Sequence, residues 1–131
     1  MKIIEDIKKL NLPTGKYSVV GGSAMAGRGI RETGDIDLIL TEDLYEELKK
    51  GGWAEKEKRP GYFHIYKDEA EAAKNFNHIE GLNLKVEDVI KNSEIIDGVP
   101  FMSLDDLVKL KQTMGREKDL RDIELIKDYL S

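Results

Sequence analysis

The stretch VVGGSAMAGRGIRETGDIDLILT, residues 19–41, carries two aspartates inside a run that otherwise has the composition of a buried strand. Side chains alternate between the two faces of a strand, so Asp35 and Asp37 are predicted to share one face, opposite Ile36 and Leu38. Their Cβ atoms would then lie about 7 Å apart, twice the rise of one strand residue. Two carboxylates at this spacing can converge on one cation.

Half-buried carboxylates without a partner would repel each other, so the pair predicts a bound cation. Hard oxygen ligands in a chain without cysteine favour Mg²⁺ or Mn²⁺ over zinc. An EF-hand is excluded, because apolar residues occupy positions 38–40, where that loop needs oxygen ligands and a glycine. The alternative for an isolated D-x-D is an edge strand with solvated aspartates.

Gly21 and Gly22 follow a predicted strand and precede a short predicted helix with Ser23 as its N-cap. Glycines allow close approach of a phosphate, a helix N-terminus offers free N–H groups, and the Ser23 hydroxyl is a further candidate donor. The sequence is neither a Walker A loop nor a G-x-G-x-x-G fingerprint. Taken alone, a glycine pair after a strand is more often an ordinary turn than a phosphate site.

Length and composition restrict the other possibilities. The 131 residues suit one domain, residues 1–131, and the net charge of −5 disfavours a protein that mainly grips long nucleic acid. There is no cysteine, no apolar run of membrane-spanning length and no signal-peptide pattern. We therefore expect a cytoplasmic protein without membrane association.

The remaining pattern alternates between helix and strand, which predicts an α+β (mixed α/β) fold with one mixed β-sheet flanked by helices and a C-terminal helix pair. Residues 68–81 give no clear pattern. The predicted helices are 3–10, 23–30, 42–50, 85–93, 104–114 and 117–130, and the predicted strands are 16–20, 35–41, 53–59, 61–67 and a hairpin over 94–103.

In combination, Gly22-Ser23, eleven intervening residues and Asp35-Ile36-Asp37-Leu38 resemble the signature of the polymerase-beta-type nucleotidyltransferase superfamily. The form found here is similar to the small minimal members, including antibiotic-modifying enzymes and abortive-infection toxins of toxin–antitoxin pairs. The tail LDDLVKLKQTMGREKDLRDIELI also resembles the K…R-x-K-D-x-x-D ending of several such groups. The resemblance is strong in residues 17–41 and 103–127.

This resemblance implies that Asp35 and Asp37 bind Mg²⁺ and that Gly21, Gly22 and Ser23 hold the triphosphate. A third carboxylate is expected in the middle of the chain, and Glu80 is our candidate, with Asp68 as the alternative. The resemblance implies catalytic roles for Asp35, Asp37 and Lys111 and metal binding by Asp35, Asp37 and Glu80. It implies nucleotide binding by Gly21, Gly22, Ser23, Arg28 and Arg31.

Lys111 and Asp119 fall on the apolar faces of the last two predicted helices, so each needs a partner. One interpretation is a buried Lys111–Asp119 ion pair, joined by Arg116. The other has Lys111 reaching the triphosphate or the incoming hydroxyl with Asp119 positioning it, as the toxin-type relatives imply. The two are compatible. Arg28 and Arg31 are candidate phosphate contacts, although a loop arginine is often simply solvated.

The function expected is metal-dependent transfer of a nucleotidyl group from a nucleoside triphosphate to a hydroxyl acceptor, with release of pyrophosphate. The alternative is a non-catalytic nucleotide-binding or regulatory relative, including a toxin–antitoxin component, with an incomplete carboxylate triad. The acceptor, a small molecule, an RNA or a protein, is left open. A chain of this length leaves no room for a separate acceptor domain, so a homodimer or a partner protein is a further expectation.

Overall fold

A computed structural model describes residues 2–131. Met1, the first residue of the predicted domain 1–131, lies outside the described residues. The chain forms six helices and seven strands within the described range. The helices are α1 (Lys2–Lys8), α2 (Gly21–Ala26), α3 (Glu42–Lys50), α4 (Val86–Lys91), α5 (Leu104–Met114) and α6 (Glu117–Leu130). The strands are β1 (Tyr17–Val19), β2 (Ile36–Leu40), β3 (Ala54–Arg59), β4 (Tyr62–Lys67), β5 (Ala70–Ala73), β6 (Glu94–Ile96) and β7 (Val99–Phe101).

All seven strands form one sheet in the order β3-β4-β5-β2-β1-β7-β6. The sheet is mixed, because β2 pairs parallel with β5 and β1 pairs parallel with β7, whereas the other neighbours are antiparallel. The predicted fold class, one mixed sheet flanked by helices with a C-terminal helix pair, is confirmed. None of the helices in residues 2–131 combines the length and the apolar character needed to cross a bilayer.

Strand β2, which carries the D-x-D pattern, lies in the interior of the sheet between β5 and β1. Ile36, Leu38 and Ile39 are all buried, so apolar groups cover both faces of this strand. A strand with hydrogen-bonded neighbours on both sides is among the most rigid parts of a fold. The alternative in which this pattern lies on an edge strand is therefore wrong, and of the two aspartates only Asp35 is exposed.

Strand β5 is the element that the sequence did not predict. Its sequence, AEAA, combines two strong helix formers and lacks the β-branched residues that favour strands. Ala70, Ala72 and Ala73 are buried between β4 and β2, where only small side chains are needed. Pairing with two neighbouring strands here outweighs the local helix preference.

The C-terminal helices α5 and α6 meet at a short turn. Ser103 accepts a hydrogen bond from the backbone N–H of Asp106 at 3.1 Å, which caps α5. Gly115 ends α5 in the left-handed conformation, with φ of 60°, which glycine adopts without strain. The helix pair brings Lys111 and Asp119 within 3.6 Å of each other, so the predicted ion pair is confirmed.

Candidate active site

The sheet register brings acidic side chains from two strands to the same face. Asp37 on β2 lies directly opposite Glu71 on the paired strand β5, and Glu71 lies directly opposite Tyr66 on β4. Registered neighbours point to the same side of a sheet, so all three side chains share one surface. Asp35, one residue before β2, is exposed and lines the same cleft as Asp37 and Glu71.

The glycine turn lies against this acidic surface. Gly21 has a φ of +61°, and a Cβ atom placed on it would lie 3.5 Å from Oδ2 of Asp37. A Cβ on Gly22 would lie 2.8 Å from a terminal nitrogen of the Arg31 guanidinium. The turn therefore separates a carboxylate on one side from a cation on the other. This is the juxtaposition of turn and aspartate that the sequence predicted.

Ser23 has a different position from the one predicted. Helix α2 begins at Gly21 with Val20 as its N-cap, so the prediction that Ser23 caps the helix is wrong. The Ser23 hydroxyl donates to the backbone oxygen of Asp35 at 2.8 Å and accepts from the N–H of Asp37 at 2.9 Å. The side chain is fully buried and lies outside the residues that line the cleft. Its hydroxyl ties α2 to β2 rather than facing a ligand.

Asp37 lies among negative charges that the nearby cationic side chains only partly balance. Burial, followed by the negative charges of Glu71 and Asp35, raises the pKa of Asp37 to about 6, against a smaller opposing effect of Lys58 and Lys111. The charged form of Asp37 is thus disfavoured where it stands. A cation bound between these carboxylates would reverse that effect.

Glu71 is the carboxylate of this cleft that sequence reasoning missed. Its Oε2 atom contacts the Nδ1 atom of His64, the hydroxyl of Tyr66 at 3.1 Å and the ammonium of Lys58 at 3.1 Å. Burial opposes ionisation of Glu71, but the hydrogen bonds from His64 and Lys58 outweigh it and bring its pKa below the ordinary value. Glu71 is therefore an oriented, charged carboxylate.

A sequence signal for Glu71 was present, since it is an acid flanked by alanines in the middle of the chain. It was overlooked because the segment from 68 to 81 gave no strand pattern. Glu80, our candidate for the third carboxylate, is exposed in a turn and does not line the cleft. Asp68, the alternative, is exposed in the β4–β5 turn with a φ of +53°. The structure brings Glu71, and neither of these two, next to Asp37.

Three cationic side chains converge at the wall formed by the C-terminal helices. Lys111 lies 2.8 Å from Oδ2 of Asp122, and Arg31 makes two bonds to the same carboxylate, from Nε at 2.9 Å and from Nη2 at 3.0 Å. Arg116 pairs with Asp119 at 2.6 Å, and Lys111 lies 3.6 Å from Asp119. Asp122 was not singled out from the sequence, although it follows Asp119 at the i,i+3 spacing that places both on one helix face.

Burial alone would raise the pKa values of both aspartates. Hydrogen bonds from Arg31 and Lys111 to Asp122, and from Arg116 to Asp119, outweigh burial and bring both pKa values below the ordinary aspartate value. The network is therefore charged near neutral pH. Its three cations, Arg31, Lys111 and Arg116, all line the cleft.

Arg28, a predicted nucleotide contact, is directed away from this cleft. Its side chain is 1% exposed, donates to the backbone oxygens of Ala24 and Met102 at 2.9 Å, and pairs with Glu94. Arg28 therefore fixes the end of α2 to the segment before α5. Of the two arginines predicted to contact phosphate, Arg28 and Arg31, only Arg31 reaches the cleft.

The cleft itself has a volume of about 350 Å³. It brings together six of the predicted residues, namely Gly21, Gly22, Arg31, Asp35, Asp37 and Lys111, and leaves out Ser23, Arg28 and Glu80. Over residues 2–131, no three histidine, aspartate or glutamate side chains lie close enough together to hold a metal ion. Asp35, Asp37 and Glu71 thus surround one space without forming a closed set of ligands.

Comparison of the chain with protein-family models, with curated proteins and with solved structures gives no match.

Proposed function

We propose that this chain transfers a nucleotidyl group from a nucleoside triphosphate to an acceptor hydroxyl. The observation that carries the proposal is the position of the glycine turn beside Asp37 in a cleft that also contains Glu71, Arg31 and Lys111. A polyphosphate needs close backbone approach, cationic side chains and a metal cation. The glycine turn, Arg31, Lys111 and the carboxylates that would ligate the metal all line this one cleft.

The residues of the cleft have separate tasks in this proposal. Gly21 and Gly22 admit the β- and γ-phosphates against the backbone, and Arg31 and Lys111 balance their charge. The acceptor oxygen attacks the α-phosphorus, the bond from that phosphorus to the bridging oxygen breaks, and pyrophosphate leaves with the electron pair. The proton of the hydroxyl goes to a carboxylate of the cleft. The protein positions the groups and stabilises charge rather than forming a covalent bond.

Asp35, Asp37 and Glu71 are the residues that would hold Mg²⁺ or Mn²⁺. The raised pKa of Asp37 supports this assignment, because its cause is negative charge and burial that a divalent cation would offset. A metal bound there supplies positive charge that neutralises the polyphosphate and polarises the α-phosphorus.

The direct test is transfer of label. Triphosphates labelled at the α-phosphate are incubated with the protein, Mg²⁺ and a cell extract, and the labelled product is then isolated. We expect transfer by the wild-type chain and a loss of at least about 100-fold in Asp37→Asn, on the scale of removing one electrostatic group from an active site. Asp68→Asn removes an equal charge from an exposed turn and is the matched control. Equal transfer by Asp37→Asn would refute the proposal.

The second candidate is a relative that binds a nucleoside triphosphate without turnover, including a regulatory or toxin–antitoxin component. One observation favours it: Asp35, Asp37 and Glu71 do not converge on one point, and Oε2 of Glu71 is held by Lys58, His64 and Tyr66. The two candidates differ in pyrophosphate release. Binding of a triphosphate by the wild-type chain, with no pyrophosphate released in the presence of extract and Mg²⁺ or Mn²⁺, would favour the second.

A further inference from the structure

The cleft is lined by two chemically different sets of residues. One set contains the glycine turn, the acidic residues and the cations described above. Around them the cleft is also lined by aromatic and apolar side chains, namely Tyr62, Phe76, His78, Ile79, Leu110 and Met114, of which Tyr62 and His78 form a stacked pair. We propose that the nucleobase of the triphosphate stacks on the Tyr62–His78 pair, an inference that rests on the proposed function.

The sheet explains why aromatic rings and carboxylates face the same space. Tyr66 on β4 is the registered neighbour of Glu71 on β5, so the two side chains lie on one face. Tyr62 and His64 precede Tyr66 by four and two residues, and the period of two along a strand places them on that face as well. A ligand anchored at Asp37 and Glu71 would thus extend along β4 towards Tyr62.

The stacking platform is already assembled. The rings of Tyr62 and His78 lie 4.2 Å apart at an angle of 28°, and the His64 ring meets Tyr62 edge-on at 4.9 Å. The Tyr62 hydroxyl donates to the backbone oxygen of Asn75 at 3.1 Å, which fixes the ring. Both members of the pair are partly exposed. A base would therefore meet a fixed ring and little side-chain entropy would be lost on binding.

Two imidazole nitrogens beside the Tyr62 ring lack a partner. Nε2 of His64 and Nδ1 of His78 are buried, and neither makes a hydrogen bond in the structure of residues 2–131. The charged carboxylate of Glu71 can only accept a hydrogen bond, so Nδ1 of His64 donates to it and Nε2 is left as an acceptor. Buried polar atoms without partners are unfavourable, and the edge of a nucleobase carries the groups that would satisfy them.

Because the cleft is small, we place the nucleobase, and not the acceptor, against its aromatic side chains. About 350 Å³ is near the lower limit for a small-molecule site. A second cleft of about 580 Å³ shares Thr33 and Asp35 with the first and is lined by Lys2, Lys9 and Lys67 among others. An acceptor that enters through the second cleft reaches Asp35 without crossing the aromatic wall.

The test compares a nucleotide with its phosphate tail alone. Dissociation constants for inorganic tripolyphosphate, and for whichever of ATP, GTP, CTP and UTP the wild-type chain binds most tightly, are measured by calorimetry with Mg²⁺. In Tyr62→Leu and His78→Leu, we expect nucleotide binding to weaken by about 5- to 100-fold, the range for loss of one stacked aromatic. Tripolyphosphate binding should not change. Phe63→Leu removes an exposed ring from the opposite face of β4 and should alter neither constant.

The outcomes separate this inference from the function on which it rests. If both ligands bind to Tyr62→Leu and His78→Leu as tightly as to the wild type, the base site is refuted while the triphosphate site stands. If the wild-type chain binds neither ligand, both proposals fail. A fall in nucleotide binding matched by an equal fall for tripolyphosphate also refutes the base site, because the substitutions then act on the cleft as a whole.

Discussion

The buried carboxylate of Asp122 offers the sharpest test of how the C-terminal helices are held. Its two oxygens accept from Nε and Nη2 of Arg31 at 2.9 and 3.0 Å and from Lys111 at 2.8 Å. The side chains of Asp122 and Lys111 are 9% and 7% exposed, so water cannot replace these bonds. Asp122→Ala therefore leaves a buried ammonium without its nearest counter-charge.

The magnitude follows from the geometry. Removal of one partner of a buried ion pair costs about 3–5 kcal/mol in the free energy of unfolding. Lys111 keeps Asp119 at 3.6 Å, and Arg31 is 34% exposed and can be hydrated, so we expect the lower end, about 3 kcal/mol. For a chain of this size that corresponds to a fall in Tm of about 10 °C.

Urea unfolding provides the assay, because Trp53 is buried and its fluorescence should change on unfolding. Glu124→Ala is the matched control on the same helix. Glu124 pairs with Lys127 at 3.6 Å with both side chains about 70% exposed, and such pairs contribute less than about 1 kcal/mol. A loss below about 1 kcal/mol in Asp122→Ala would show that Asp122 is not the counter-charge that the structure indicates.

The pH dependence gives an independent check on the same variant. The pKa of Asp122 is below its ordinary value in the folded chain, so the unfolded chain binds the proton more readily. The stability contributed by Asp122 is therefore complete above the unfolded pKa of about 3.9 and is lost as the pH falls through the lower folded pKa. The difference between the wild type and Asp122→Ala should be constant from pH 7 to about 5 and should shrink below about 4.

Three further predictions concern the cleft. Glu71→Gln should reduce label transfer by at least about 100-fold, whereas Glu80→Gln should change it less than about 2-fold. Equal losses in the transfer assay would contradict the assignment of Glu71 as the third carboxylate. Gly21→Ala should lower the free energy of unfolding by about 1–2 kcal/mol because of its φ of +61°, while Gly34→Ala, with no atom within 4 Å of an added Cβ, should be near neutral in urea unfolding. Asp37→Asn should stabilise the ligand-free chain at pH 7 by about 3 kcal/mol, because the pKa raised to about 6 makes the wild type less stable as the pH rises from about 4 to 6. A thermal scan that shows no such gain would argue against burial of that charge.

Much of the fold was predictable because its signals are local. The glycine pair ended β1, alternation defined β2, and the capping serine at 103 and the glycine at 115 bounded α5. Part of the cleft was predictable for the same reason, because Gly21, Asp35 and Asp37 lie within one short stretch of sequence. Their mutual distances are set by one turn and one strand pairing.

The rest of the cleft depends on contacts between distant parts of the chain. Arg31 and Asp122 are 91 residues apart in sequence, and nothing in either neighbourhood indicates the other. Glu71 was missed because an alanine-rich segment forms a strand only when two neighbouring strands enclose it. Arg28 and Arg31 have similar sequence surroundings, yet one points into the protein and the other into the cleft. Pattern alone cannot distinguish such pairs.

The doubly bonded hydroxyl of Ser23 has a mechanical consequence. This hydroxyl joins α2 to the backbone of both Asp35 and Asp37. The glycine bend therefore cannot move along β2 unless both hydrogen bonds break at the same time. Any change in the width of the cleft must therefore come from movement of the C-terminal helices or of the loop around Phe76. The glycine bend and β2 move together as one rigid unit.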